Sequence, residues 1–505
     1  MNPRIWTYIL LWFLLFACSI VTGEKDGGTD SGCPYPDSER IGWVKTFGGD
    51  RHVKADRVLI ASNCDIIIAG TFTGKVDFDP GPGEDTHTAT EDKILLFISR
   101  YSSDGDYIWT KFIVGKIFDL AIGLGLQSDG SIIIGGTFFG TADFDPGAGK
   151  EELDSDVDGN VFVLKLTENG EYVWIYTVGG DDAEVFTTLS VSPSGFIYFG
   201  GWYTQDIVFP SSTGDEVHPR EGGGMSPDAF VAKLSSEGEL VWSRTIGGIS
   251  KDASWDVTAS HDDSLIWLGE FGDTLDFDPG DDTDEYTPSS NDIFLIRLDP
   301  DGNYEWGKHI LGSGIDFSRS VVLDNEDNIY ISIAHSGEID YDIQDNGINS
   351  KNCFNRKCFS FVKYSLDGFF QWSNTYETTG NLYIPDSIYL DNKLIILGYY
   401  YGLTDFNPGP GEDLHGMDND SSFNTFILEV DHKGDTKWAV TIGGTGTCIG
   451  HGIASSGNNY LYIAGYFDRE VDFDPGECND FQKGGDSGDR DAFLLRLTSQ
   501  GKYYP

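Results

Sequence analysis

The sequence predicts an all-β chain folded as a seven-bladed β-propeller of four-stranded antiparallel blades, and three observations carry that expectation. Trp43, Trp109, Trp174, Trp242, Trp306, Trp372 and Trp438 recur with a period of about 66 residues, using seven of the twelve tryptophans. The composition, with 64 glycines, 14 % aromatic residues and three methionines in 505 residues, suits short strands and tight turns rather than long helices. Each period also contains four short β-rich segments, the number that builds one blade.

The chain divides into three parts. Residues 1–17 read as a signal peptide, because Arg4 precedes an apolar run over 5–17 that is too short to span a membrane. That run ends in Leu15-Phe16-Ala17-Cys18, which resembles the lipobox of bacterial lipoproteins and makes Cys18 the candidate lipidated residue. Small residues at Val21-Thr22-Gly23 offer ordinary cleavage and soluble secretion as the alternative. Residues 18–40, rich in Gly, Ser, Asp and Pro, read as a flexible tether, and 41–505 as the propeller.

Within a unit, the first strand follows a Gly-Gly pair such as Gly48-Gly49, Gly179-Gly180, Gly247-Gly248 or Gly443-Gly444. The second is a continuous apolar run, for example Ile66-Ile67-Ile68, closed 27 residues after the tryptophan by Gly70, Gly136, Gly201, Gly269 or Gly465. Gly398 comes one residue early, and Ile333 is the exception. The third strand follows the pattern [DN]-x-F-hydrophobic-x-[KR], with Phe162, Phe230, Phe294, Phe426 and Phe493, and with Lys165, Lys233, Arg297 and Arg496. Units one and five match less fully, and unit six places Glu429 at the basic position. The fourth strand carries the tryptophan.

A tryptophan strand at 42–47 precedes the first full unit, and none follows the last third strand. That offset predicts that the N-terminal strand closes the ring as the outer strand of the last blade, which removes free sheet edges. Together the Gly-Gly pairs, the glycine-closed second strands and the D-x-F segments resemble the bacterial SBBP-type β-propeller repeat proteins over nearly all of 42–501. The resemblance implies a fold and an exported location, and little about activity.

After the second strand, five units carry D-F-[DN]-P-G, beginning at Asp77, Asp143, Asp276, Asp405 and Asp472. Unit five keeps Asp340-Tyr341-Asp342, and unit three has decayed to Asp206-Ile207-Val208-Phe209-Pro210. Pro-Gly predicts a tight turn of type II, with the aromatic packed inward. Eight residues beyond the first Asp there is again an acid. The resulting sets are Asp77, Asp79 and Asp85; Asp143, Asp145 and Glu151; Asp276, Asp278 and Asp284; Asp405, Asn407 and Asp413; Asp472, Asp474 and Asp480. Their spacing echoes oxygen-ligand loops, so Ca²⁺ is the candidate cofactor; the alternative is that the first Asp caps the turn and the rest are solvated. These loops and the Gly-Gly loops should share one rim, the place for binding.

Besides Cys18, six cysteines in an exported chain predict the disulfides Cys33–Cys64, Cys353–Cys358 and Cys448–Cys478, against the alternative of free buried thiols. With 82 acids against 33 bases, the net charge of −49 disfavours nucleic-acid partners. The nine histidines show no metal-ligand spacing, and no nucleophile elbow, P-loop or dinucleotide fingerprint is present. The expectation is therefore a monomeric, exported, non-catalytic binding or scaffolding module, held to the cell envelope by its lipid anchor and recognising an extracellular glycan or protein. The alternative is a carbohydrate-active enzyme, a glycoside hydrolase or lyase using acids near the central channel.

Overall fold

The computed structural model describes residues 42–503 apart from 90–92, 118–121, 156–158, 181, 222–225, 315, 343–348, 417–421, 457–459, 477 and 487. The signal-peptide and lipid-anchor expectations, including Cys18, therefore lie outside the described residues. Within them the chain is all-β and antiparallel, with no helix.

The strands fall into seven meanders of four. The first unit comprises Val53–Ile60, Ile66–Phe72, Leu95–Tyr101 and Tyr107–Ile117, paired in that order. The seventh comprises Cys448–Ser455, Tyr460–Phe467 and Asp491–Thr498, and its fourth strand is Trp43–Phe47, paired in register from Trp43 opposite Arg496 to Phe47 opposite Ala492. The N-terminal strand thus completes the last unit, as its position in the sequence requires.

The continuous apolar runs of the second strands are explained by burial on both faces. Ile66 and Ile68 face a core shared with the seventh unit, whereas Ile67 and Ala69 face a core shared with the second. Seven such cores lie between consecutive units, and one of them joins the seventh unit to the first.

Two side-chain ties repeat at these interfaces. Each repeat tryptophan packs on the glycine of the next unit's turn between strands three and four, from Trp43 on Gly105 through to Trp438 on Gly501. Those glycines have positive φ, a conformation glycine adopts without strain. The third-strand cations reach the same turns: Arg100 Nη1 donates to the Glu168 carbonyl at 2.6 Å, Lys233 Nζ to Pro300 at 2.9 Å and Arg496 Nη1 to Ser103 at 3.0 Å. In unit six Glu429 takes another role, accepting from Lys393 Nζ at 3.1 Å and Trp438 Nε1 at 3.0 Å.

The cysteines follow the expectation in part. Cys353 and Cys358 are joined, with their α-carbons 6.2 Å apart. Cys64 is disulfide-bonded, and Cys33 lies outside the described residues. The expected Cys448–Cys478 bridge is not formed: Cys478 is disulfide-bonded, whereas Cys448 is a free thiol, fully buried in the core beside Thr425, whose hydroxyl donates to its sulfur at 3.6 Å. Burial pushes that thiol up to about 12.

Candidate functional site

The acidic loops are built as self-capped hairpins. Asp77 Oδ1 accepts from the amides of Asp79 at 3.1 Å and Asp85 at 2.9 Å, and Asp79 Oδ1 accepts from Gly81 at 2.8 Å. The same three bonds recur from Asp143, Asp276, Asp405 and Asp472. The aromatics between the acids, Phe78, Phe144, Phe277, Phe406 and Phe473, are buried. The corners are not type II as expected, since none of Gly81, Gly147, Gly280, Gly409 and Gly476 takes a positive φ. The carboxylate bonded to the amide two residues on closes the turn instead.

In three of the sets the third acid accepts from a tyrosine hydroxyl. Asp85 accepts from the Tyr107 hydroxyl and from His87 Nε2 at 2.9 Å; Asp284 and Asp480 accept from Tyr304 and Tyr503. In unit six Asn407 occupies the second position and makes the same bond as the aspartates. An amide oxygen suffices there, so the position needs an acceptor rather than a charge. Among the described residues no three His, Cys, Asp or Glu side chains are grouped as a metal site. The first two members of each set therefore cap their own turn.

Chemistry gathers instead where the first strands begin. Six first strands carry a β-bulge, which places Asp56, Thr187, Trp255, Arg319, Ile384-Pro385 and His451 at the irregular position. These residues differ from unit to unit. Arg319 lies 3.6 Å from the Trp255 ring centroid, and Lys251 lies 5.0 Å from the same ring. Tyr383 stacks on Tyr399 with centroids 5.1 Å apart, and His451 stacks on Tyr466 at 5.5 Å. Arg490 and Lys54 also sit over Tyr466, at 4.5 and 5.9 Å. Burial, with Arg57, Lys54 and Arg490 nearby, lowers His451 to about 3 and keeps it neutral.

Next along the same strands lie Arg57, Asp256 and Asp386. Burial raises both carboxyls to about 6, and Arg57 opposes the rise. Both are engaged in holding backbone: Asp256 accepts from Thr188 Oγ1 at 2.7 Å and the Val321 amide at 2.8 Å, and Asp386 accepts from the Ile453 amide at 2.9 Å.

A cavity of about 340 Å³ opens beside Arg319, between units five and six. Phe317, Arg319, His335, Lys357, Asn381 and Tyr383 contribute to its wall. Sequence reasoning passed over all six, because it followed residues that repeat.

No family model matches the sequence, so the resemblance to SBBP-type proteins rests on the repeat alone. The chain is 22 % identical over 510 aligned positions to a WD repeat-containing protein of Acanthamoeba polyphaga mimivirus, covering 85 % of this chain and 36 % of that protein. It is 22 % identical over 242 positions to the regulatory protein FlaEY of Caulobacter vibrioides, covering 47 % of this chain and 23 % of that protein. The chain thus spans about a third or less of the curated relatives it matches. Among solved structures it is similar to the phage phi92 endosialidase, with a TM-score of 0.36, 9 % identity and coverage of 91 % of this chain and 69 % of that one. It is also similar to a puromycin hydrolase, with a TM-score of 0.30, 11 % identity and coverage of 83 % and 59 %. At these scores the two structures carry no argument about function. The chain is a repeat-built, β-rich protein resembling a WD-repeat protein.

Proposed function

We propose that this chain is a seven-bladed β-propeller, exported and lipid-anchored through Cys18, that works as a non-catalytic binding module. The propeller reading is supported by seven four-stranded units, seven cores between neighbours and an N-terminal strand that completes the last unit. One observation carries the binding reading: the cavity opens where the repeat is broken. Unit five lacks the second-strand glycine at Ile333, keeps only Asp340-Tyr341-Asp342 of the acidic motif and carries the Cys353–Cys358 bridge, and it supplies Arg319, His335 and Lys357 to the cavity. In a ring of equivalent units, repeated positions hold the scaffold and the odd unit is free to specialise.

Catalysis by Asp256 and Asp386 is the rival reading, favoured by their raised carboxyl pKa values beside Arg57. Their hydrogen bonds to strand amides speak for a structural duty. The test is a glycan and peptide panel screened for binding and turnover, using the full chain and a cavity-filled Ala334→Trp variant. Binding without turnover that is lost on filling the cavity is the expected result. Turnover abolished by Asp256→Asn or Asp386→Asn in a folded protein would replace the binding reading with the enzymatic one.

A further inference from the structure

The cavity between units five and six contradicts the charge of the rest of the molecule. Asp and Glu make up 82 of 505 residues, yet among the described residues none lines this cavity, whereas Arg319 and Lys357 both do. A wall free of acids and bearing two cations, in a chain of net charge −49, selects for an anion.

The wall also specifies a ring. Phe317 and Tyr383 are each 42 % exposed, a large apolar area for side chains that lie in a concave site. Polar groups stand among them. Asn381 accepts from Lys357 Nζ, Ser332 and Ser336 line the wall, and His335 Nδ1 is buried with no hydrogen-bond partner among the described residues. Burial lowers His335 to about 4, so its ring is neutral at physiological pH, and Nε2 lies 2.9 Å from Ser360 Oγ.

The Arg319 guanidinium carbon lies 3.6 Å from the Trp255 ring centroid, and the Glu270 carboxylate also acts on its charge. The guanidinium N–H edge, with no ion-pair or hydrogen-bond partner among the described residues, is left to grip a planar carboxylate through two parallel bonds. A cavity of about 340 Å³ is at the small end of ligand sites.

Resting on the binding reading above, we propose that this cavity binds a carboxylated sugar ring, an acidic saccharide unit of the uronic-acid class. Arg319 takes the carboxylate, Phe317 and Tyr383 cover the apolar ring face, and Asn381 meets a hydroxyl.

The test is calorimetric titration of the full chain with a glucuronic-acid disaccharide, its neutral glucose counterpart, and inorganic phosphate. Expected is at least tenfold tighter binding of the uronate than of either comparator, weakening as salt rises. Arg319→Gln should bring uronate affinity down to the neutral level, and Arg319→Lys should restore only part of it, because an ammonium lacks the fork. Equal affinity for the neutral sugar, or unchanged uronate binding in Arg319→Gln, would overturn the carboxylate assignment while leaving a binding cavity in place. Phosphate binding as tight as uronate would reduce the site to a simple anion site and also overturn it. If Ala334→Trp, shown folded by circular dichroism, bound the uronate as the parent does, the cavity and the binding reading would fail together.

Discussion

The Asp491 carboxylate occupies the space that a β-carbon on Gly48 would need: such a carbon would fall 2.0 Å from Asp491 Oδ1. Two sequence motifs far apart in the chain thereby explain each other. The first glycine of the Gly-Gly pair admits the [DN] side chain that opens the third strand, as at Gly179 with Asn160, Gly247 with Asp228 and Gly443 with Asn424. The second admits the backbone of the next unit's acidic hairpin, for a β-carbon on Gly49 would fall 1.7 Å from the Lys75 carbonyl oxygen.

Gly48→Ala should therefore destabilise the protein by about 1–3 kcal/mol, the usual cost of forcing atoms into a filled site. Combining it with Asp491→Ala should cost less than the sum of the two single changes, because the shorter side chain vacates the space. Denaturant melts of the two single variants and the double variant read this directly, and strict additivity would refute the contact.

The acidic hairpins predict a specific pattern of tolerance. Asp77→Ala leaves two amides without their acceptor and should cost about 1–3 kcal/mol, whereas Asp79→Asn should be close to neutral, as Asn407 shows in its own unit. Calcium should raise the melting temperature no more than sodium at matched ionic strength. A rise specific to calcium that Asp77→Asn removes would restore the metal reading of these loops.

Between pH 8 and pH 6.5 stability should increase as pH falls. Burial raises Asp228 to about 7, Asp252 to about 8 and Asp316 to about 7, so the folded chain holds protons that the unfolded chain, with carboxyls near 3.8, has lost. Their contribution is complete below the unfolded value and is lost as pH rises through the folded ones. Below pH 6.5 the buried His335 and His451, lowered to about 4 and about 3, work in the opposite direction, because the unfolded chain then binds the extra protons. Melting temperatures at fixed ionic strength should rise from pH 8 to pH 6.5 and more slowly below it, because the raised carboxyls outnumber the two lowered histidines. A higher value at pH 8 than at 6.5 would contradict this burial scheme.

The scaffold was legible in the sequence because its steric conflicts repeat. Gly70, Gly201, Gly269, Gly398 and Gly465 each stand opposite the phenylalanine of the adjacent strand, and where Ile333 replaces the glycine, Ser360 replaces the phenylalanine. The tryptophan period follows from packing on the next unit's turn glycine. The binding cavity was not legible. Arg319, Phe317 and Tyr383 meet only through the packing of two units, and Arg319 stands at a bulge that no periodicity announces. The acids at 77, 79 and 85 suggested convergence, but a hairpin turns the last of them toward Tyr107. The Cys448–Cys478 expectation failed although both residues lie in one buried core: Cys478 is disulfide-bonded, and Cys448 stays a free thiol.

The propeller reading depends on the pairing of Trp43–Phe47 with Asp491–Thr498. Hydrogen–deuterium exchange of the native chain, read on the peptide spanning 43–47, tests that pairing most directly. The account predicts that its backbone amides are protected to the same degree as those of 491–498, opening only with the whole fold. Exchange of 43–47 at the rate of an unstructured tail, while 460–467 and 491–498 stay protected, would contradict it.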